Sequence, residues 1–518
     1  MNILSFISGV PFYLILFDEL KNPKNKIIKY TFVFGMSFYL PVYIWFLWMY
    51  PMEQTGVTPL QSLFIVTAAW LGFPLLQTLV LLILPAGLKI FGNIYINLYN
   101  RGKLPKGANI FFLPVLTACL YVISEWVQSW FLSGLTWAKL SLTQYKDLFF
   151  IQSISLFGTY FTSFIIIFIN SAIALYILNK SNKTISLIPV NKNNLLILSV
   201  IILYFANSYF GFFRLYIKNN FSSESENTPK ITAEVVQGNI SSYEKWEENG
   251  ITKSLEIYKS LTEQYNKNID LSVWSETAIP TSINPGGRLY DNLRDFAVKN
   301  DLTLFTGAFY DNQDKEYNAI IAFDKNYDFI QPYGKRHLVP FGEYLPLEKI
   351  LTSVFPFVSN ISLFDSVLTP GEDSYVMNIN GVKYGGLVCF DSIFPELARR
   401  SVNDGAEILI IVTNDSWFRD SPAIYQHNAQ AVLRAVENNR YVIRSANTGI
   451  SSIISPTGEI IRQSDVLQRE VLIADVGIVR DKTVYTVFGD VILYLSWIYV
   501  AVCVVWVVKI KYLNHKNN

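Results

Sequence analysis

Apolar residues are spread along this chain of 518 residues in two different ways. In the first, they run on without charge for about the 20 residues that a helix needs to cross a bilayer core. Such runs meet or approach that length at 30–52, 54–88, 107–124, 148–179, 193–213 and 491–508. The opening stretch 1–17, MNILSFISGVPFYLILF, is shorter. It lacks the basic start and small-residue cleavage site of a signal peptide and reads as a short span. The pattern predicts about six spans over 1–217, a polar linker at 218–229 containing Pro229, and one closing span with its tail over 484–518.

The region 230–483 carries the second pattern. Strand-like runs at 231–236, 271–274, 302–305, 319–323, 382–388, 408–412, 441–445 and 451–454 alternate with helix-like stretches at 243–265, 288–299, 394–403 and 423–438. Such alternation predicts an α/β domain, where ligands gather beyond the strand ends. Three polar groups stand at such ends: Glu276 after LSVWS, Cys389 after YGGLV, and Asn414-Asp415 after ILIIVT. The stretch YGKRHLVPFGEYLP carries Lys335, His337 and Glu343. Gly334, Pro340, Gly342 and Pro346 interrupt it, so it reads as a site-lining loop.

Composition narrows the partners. Lys and Arg number 42 against 41 Asp and Glu, a net charge of +1, which argues against nucleic acid. Cys119 and Cys503 lie inside apolar runs and Cys389 stands apart, so neither a disulfide framework nor a paired-cysteine zinc site is expected. No metal or cofactor is expected. Basic residues gather in alternate loops: Lys21, Lys24, Lys26 and Lys29; Lys89, Arg101, Lys103 and Lys106; Lys180, Lys183 and Lys192; and Lys509, Lys511 and Lys516 in the tail. The intervening loops have few, Lys139 and Lys146 among them. By the positive-inside rule the large domain faces outward, which in a bacterium is the outer face of the inner membrane. The N-terminus then also lies outside, as if a first span were missing. Glu125, in ISEWVQSWF, is a functional candidate at membrane depth, but Trp126 and Trp130 favour a headgroup position.

Attack on a carbonyl carbon requires a thiolate, hence a base and a nearby positive charge. Glu276, Lys335 and Cys389 supply a carboxylate, an ammonium and a thiol. His337 and His427 permit a Cys–His pair instead, or each orients a loop.

The segments VWSETAIP, GKRHLVPFGEYLP, GGLVCFD and TNDSWF…YQH…RAVENNRYVIRSANTGISS resemble, in order, the motifs of the carbon–nitrogen hydrolase (nitrilase) superfamily. HLVPFGEYLP, VQGNI…KW, NDSWF and SEWVQSWFLSGLTW are similar to its membrane branch, the apolipoprotein N-acyltransferases. The resemblance implies a polytopic helical membrane part and an αββα sandwich with a Glu–Lys–Cys triad. In it Glu276 is the general base, Lys335 steadies the oxyanion and Cys389 carries the acyl group as a thioester. Glu343 supports the thiol, Phe390 offers a second oxyanion donor through its N–H, and Trp246, Tyr344 and Trp417 lie around substrate. The implied partners are a phospholipid acyl donor, a diacylated apolipoprotein acceptor and the bilayer.

The chain departs from the family at Phe390 and Asp391, where Tyr and Glu are usual. Ser275 stands for a proline and Arg419 for a glycine, and the span count is one short of eight. These differences bear on acyl-chain handling or rate and leave Glu276, Lys335 and Cys389 in place. Two other readings share the residues: a membrane-tethered amidase or nitrilase in which water resolves the acyl-enzyme, and a non-catalytic lipid- or lipoprotein-binding protein.

Overall fold

The computed structural model describes residues 2–516 except 21, 23, 53–56, 101–109, 131–133, 135, 182–192, 222–228, 266–267, 346–347, 355–367 and 373–374. Most of the expected linker, Pro346, and Lys21, Arg101, Lys103, Lys106, Lys183 and Lys192 of the orientation pattern lie outside the described residues. The chain divides into two units. One holds Met1–Tyr43, Trp70–Leu215 and Phe488–Asn518; the other holds Ile44–Ala69 and Tyr216–Val487.

Among the described residues, five helices are long and apolar enough to cross a membrane: Pro59–Leu98, Phe112–Trp130, Thr159–Ser181, Asn194–Lys218 and Val491–Ile510. The apolar run 30–52 does not continue as one helix. Pro41, which lacks an amide hydrogen, sits at the end of the helix Ile27–Val42, and a 3-10 turn follows at Ile44–Met49. The run 148–179 breaks at Gly158, whose φ of 77° ends the short helix Ile154–Phe157 before Thr159–Ser181 begins. The opening stretch forms a 3-10 turn and the ten-residue helix Val10–Glu19. At about 1.5 Å per residue this helix is roughly half the bilayer core in length. Glu125 is buried within the protein: its Oε1 accepts from Leu140 N at 3.0 Å and from Ser163 Oγ at 3.1 Å.

In the second unit the described residues form two six-stranded sheets. The first contains β1 (Lys230–Gln237), β2 (Leu271–Trp274), β3 (Thr303–Asn312), β4 (Lys315–Phe323) and β5 (Tyr333–Gly334). The second contains β6 (Val376–Ile379), β7 (Val382–Val388), β8 (Ile408–Thr413), β9 (Tyr441–Ala446), β10 (Ser452–Ile454) and β11 (Ile460–Gln463). The last strand, β12 (Glu470–Gly477), returns to pair antiparallel with β1 and close the first sheet.

Each sheet has a parallel centre, β1-β2-β3 and β7-β8-β9. That is why both β2 and β7 release their chains at the same kind of edge. Val235, Val273 and Phe305 from one sheet meet Val388, Ile410, Val412 and Ile443 from the other in a buried inter-sheet core. On the outer face of the first sheet, Val236, Trp274 and Leu304 pack under the helices Gly250–Thr262 and Arg288–Lys299 through Tyr258, Leu293 and Phe296. Helices Pro395–Asn403 and Pro422–Asn438 pack with the second sheet, completing an αββα sandwich.

Candidate active site

The end of β2 leads directly to Ser275 and Glu276, and the next residue, Thr277, turns the chain at φ 46°. Gly307 on β3 makes that turn fit. A Cβ there would lie 2.5 Å from the Glu276 Cα, and the glycine N–H instead donates to the Ser275 carbonyl at 3.1 Å. The Ser275 hydroxyl is hydrogen-bonded to the Tyr258 hydroxyl at 2.6 Å, giving the serine a partner that a proline could not use. Lys245, 1% exposed, donates to Thr277 Oγ1 at 3.2 Å from the other side. Burial lowers its pKa to about 7, against the pull of Glu276.

Glu276 is almost fully enclosed by donors. Its Oε1 accepts from Asn318 Nδ2 at 2.8 Å and from Lys335 Nζ at 3.4 Å, while Oε2 accepts from the Asn414 N–H at 2.7 Å. Asn318 and Lys335 both continue to Glu343 Oε1, at 2.9 and 2.8 Å, and Glu343 Oε2 accepts from Val339 N at 2.8 Å. The Lys335 side chain is 1% exposed and the two carboxylates 7% each. A buried ion pair is tolerable only when its remaining lone pairs and protons are satisfied, and the asparagine does much of that here. Burial works against the Lys335 ammonium, but Glu343, Glu276 and the Cys389 thiol more than offset it and hold its pKa above the ordinary lysine value.

The thiol arrives from the second sheet. Gly385 and Gly386 on β7 permit close packing before the turn: a Cβ on the first would lie 2.9 Å from Ala406 Cβ, and on the second 2.7 Å from the Tyr333 ring. Cys389 then adopts φ 49° and opens a 3-10 turn, Cys389–Ile393, remaining half-buried. Burial and the Glu276 carboxylate push the thiol pKa up, while Lys335 and the Thr413 hydroxyl pull the other way. Burial and the carboxylate thus favour the protonated thiol, while the ammonium beside it favours the thiolate.

Asp391 explains itself in the same turn. Its carboxylate accepts from Val388 N at 3.1 Å, His337 N at 2.8 Å, Arg336 N at 3.2 Å and Tyr333 Oη at 3.0 Å. It staples the Lys335 loop to the cysteine turn. The Phe390 ring is buried edge-on against Phe394, with centroids 5.2 Å apart, and Phe394 lies 4.1 Å from the His337 ring. His427 is buried and reaches the Cys389 carbonyl oxygen, so its visible role is with the main chain of the cysteine.

Trp246 follows the helix Ser242–Lys245, is 48% exposed and lies 6.3 Å from the Phe309 ring. Tyr344 and Trp417 are half-buried. Tyr344 ends the Lys335 loop, where its carbonyl accepts from Phe341 N, and Trp417 lies in the turn Asp415–Phe418. Sequence reasoning missed Asn318 and Lys245, since a single polar residue in a strand or short helix carries no distinguishing pattern. It also missed the segment Ile44–Ala69, which belongs to this unit. Trp45 meets Phe418 edge-on at 5.1 Å, and Leu345 packs on Met52, Val57 and Val66. Arg419 occupies φ 47°, ψ −154°, a backbone region suited to glycine, and donates weakly to the Pro51 carbonyl at 3.5 Å.

Two family models match the chain: carbon-nitrogen hydrolase over residues 232–480, and the apolipoprotein N-acyltransferase N-terminal domain over 1–172. An apolipoprotein N-acyltransferase of Geobacter metallireducens is 31% identical over 428 residues, covering 82% of this chain and 78% of the relative. Another, from Rickettsia prowazekii, is 31% identical over 401 residues, 75% of each chain. Among solved structures, Nit3 of Saccharomyces cerevisiae, a member of branch 10 of the nitrilase superfamily, aligns with 48% of this chain and 90% of its own at 23% identity and a TM-score of 0.37.

Proposed function

Since this chain belongs to the apolipoprotein N-acyltransferases, we propose that it moves an acyl chain from a membrane phospholipid to the N-terminal amine of a diacylglyceryl-cysteine on an apolipoprotein. Cys389 carries the chain between the two. The observation that carries this reading is the buried cluster of Glu276, Asn318, Lys335 and Glu343 in whose field the Cys389 thiol sits.

Glu276 takes the thiol proton as sulfur attacks the phospholipid ester carbonyl. The oxygen that becomes negative is met by the Lys335 ammonium and by the Phe390 N–H. Glu343 and Asn318 hold Lys335 and Glu276 at their stations. Collapse of the tetrahedral adduct breaks the ester C–O bond, and the departing lysophospholipid oxygen takes the proton back from Glu276. In the second half the neutral α-amine attacks the thioester and Glu276 accepts its proton; as the C–S bond breaks, Glu276 passes that proton to the sulfur, giving the amide and the Cys389 thiol. Trp246, Tyr344 and Trp417 are assigned to the substrate approach. The apolar helices support a lipid substrate, and the basic loops support an outward-facing domain on a bacterial inner membrane.

Incubation of the full-length protein in detergent with phospholipid alone, followed by intact-mass analysis, should give an acyl adduct that Cys389→Ala abolishes. Adding a diacylated lipopeptide should discharge that adduct into triacylated product. Free fatty acid without triacylated product would leave a hydrolase in place of a transferase, and no adduct at all would leave neither.

A further inference from the structure

Beneath the cysteine turn lies a buried polar group that the acyl-transfer chemistry above does not use. The carbonyl oxygen of Cys389 accepts from the Ser392 hydroxyl at 2.7 Å, and His427 Nε2 lies 3.2 Å from the same oxygen and 2.9 Å from Ser392 Oγ. The serine gives its single hydrogen to that carbonyl, so a ring hydrogen on Nε2 is the arrangement in which His427 donates toward both oxygens. The other ring nitrogen lies 2.9 Å from Asp415 Oδ1 and 3.2 Å from the Arg444 guanidinium, and Arg444 donates to Asp415 Oδ2 at 2.8 Å. Thr413 Oγ1 also donates to Asp415. Every side chain in this chain of contacts from His427 to Arg444 is at most 1% exposed.

The helix Pro422–Asn438 delivers a second grip. Arg434, two helical turns beyond His427 and so on the same face, donates to the carbonyls of Ser392 and Ile393 at 3.4 and 3.3 Å. One helix face thus holds the main chain on the far side of the turn from the thiol. The peptide group that His427 and Ser392 hold by its oxygen is the one that joins Cys389 to Phe390. In a planar trans peptide the C=O and N–H point in opposite directions. Gripping the oxygen therefore aims the Phe390 N–H the other way, and hydrogen bonds to the carbonyl polarise that N–H further.

We propose that His427, braced by Asp415 and Arg444 and acting with Ser392, is a positioning residue that fixes and polarises the Phe390 N–H as an oxyanion donor. This rests on Cys389 being acylated, as proposed above. The φ of 49° at Cys389 is a conformation that ordinary residues adopt only when surroundings impose it, and these contacts are among those surroundings.

The test uses the full-length protein in detergent and follows the single-turnover rate of Cys389 acylation by phospholipid, beside the rate at which iodoacetamide alkylates Cys389. Alkylation builds no oxyanion, so it reports the thiol alone. Ser392→Ala should slow acylation about 10-fold and His427→Ala about 100-fold, less than or equal to the loss of a direct oxyanion donor, with the lipid concentration for half-maximal rate unchanged. His427→Gln, which keeps an N–H, should recover part of the loss. Alkylation rates should match those of the unsubstituted protein in all three. Acylation within twofold of normal in both Ser392→Ala and His427→Ala overturns the proposal, as does acylation falling in step with alkylation. If the unsubstituted protein forms no adduct, the transfer reading fails, and this inference with it.

Discussion

Asn318→Asp is the most incisive perturbation of the carboxylate cluster, because it changes one heavy atom and inverts an electrostatic role. In the structure the Asn318 amide donates to Glu276 Oε1 and Glu343 Oε1 at 2.8 and 2.9 Å, and Lys335 Nζ serves the same two oxygens at 3.4 and 2.8 Å. A third carboxylate in its place meets two like charges and one opposite charge at ~4 Å, each worth about 4 kcal/mol at an effective dielectric of ~20. The balance is about 4 kcal/mol against ionisation, or about three pH units, so the new carboxyl should titrate near ~7 instead of ~4. A folded-state pKa raised in this way gives stability that is complete below ~4 and lost as pH rises through ~7. At about pH 8 the variant should unfold at a lower temperature than at about pH 5, relative to the unsubstituted protein at each pH. Adduct formation on Cys389 should fall at least ~100-fold at about pH 8, because Glu276 has lost a donor and gained a repelling neighbour. It should recover partly near pH ~6, where the protonated carboxyl donates one of the two lost hydrogen bonds. Intact-mass kinetics and thermal unfolding across this range decide it. A rate ratio to the unsubstituted protein that stays constant with pH would refute the reasoning.

Three other substitutions probe separate parts of the domain. Glu234 on β1 is fully buried with Ser272 as its hydrogen-bond donor, and burial raises its pKa to about 7, so stability should be lost between about pH 4.5 and 7 and flat above. Glu234→Gln should remove that slope and stabilise the protein by up to about 3 kcal/mol at alkaline pH, read from denaturant unfolding. Asp391→Ala should cost about 3 kcal/mol or more, since it leaves buried N–H groups unpaired, and should disorder the Lys335 loop in hydrogen exchange. Arg419→Gly should relieve about 1–2 kcal/mol of backbone strain and slow exchange in the turn Asp415–Phe418; faster exchange would show that the Pro51 contact matters more.

Much of the candidate site could be read in the chain because its polar groups stand where regular patterns stop. The buried runs of β2, β7 and β8 end at Glu276, Cys389 and Asn414, so strand periodicity alone pointed to all three. Lys335 and Glu343 were found through the irregularity of their loop, which in the structure winds back to place both on one carboxylate cluster. Asn318 was invisible, because a lone amide within β4 looks like any strand residue facing water until the fold closes over it. β12 was missed for a different reason. Its apolar residues pack on both faces, and its partner, β1, lies more than 200 residues upstream, so nothing local announces that pairing. The run 30–52 misled because hydrophobicity does not separate lipid contact from protein contact. Trp45 and Phe46 are buried at 3% and 9% exposure, and Trp45 meets Phe418 of the sandwich domain.

That last contact has a practical meaning for anyone who wishes to study the sandwich alone. Cutting the chain at the polar linker would yield a fragment of sound topology that nevertheless lacks part of its own body, since Ile44–Ala69 lies upstream of the linker in the sequence. The fragment would present Phe418 and Leu345 bare to solvent, beside the loops that carry Trp417, Tyr344 and Lys335. Solubility would suffer, and the region nearest the chemistry would be the first to loosen. Supplying residues 44–69 as a fused or added peptide is the natural remedy, and how well it restores order there would measure how far the sandwich depends on this early segment of the chain.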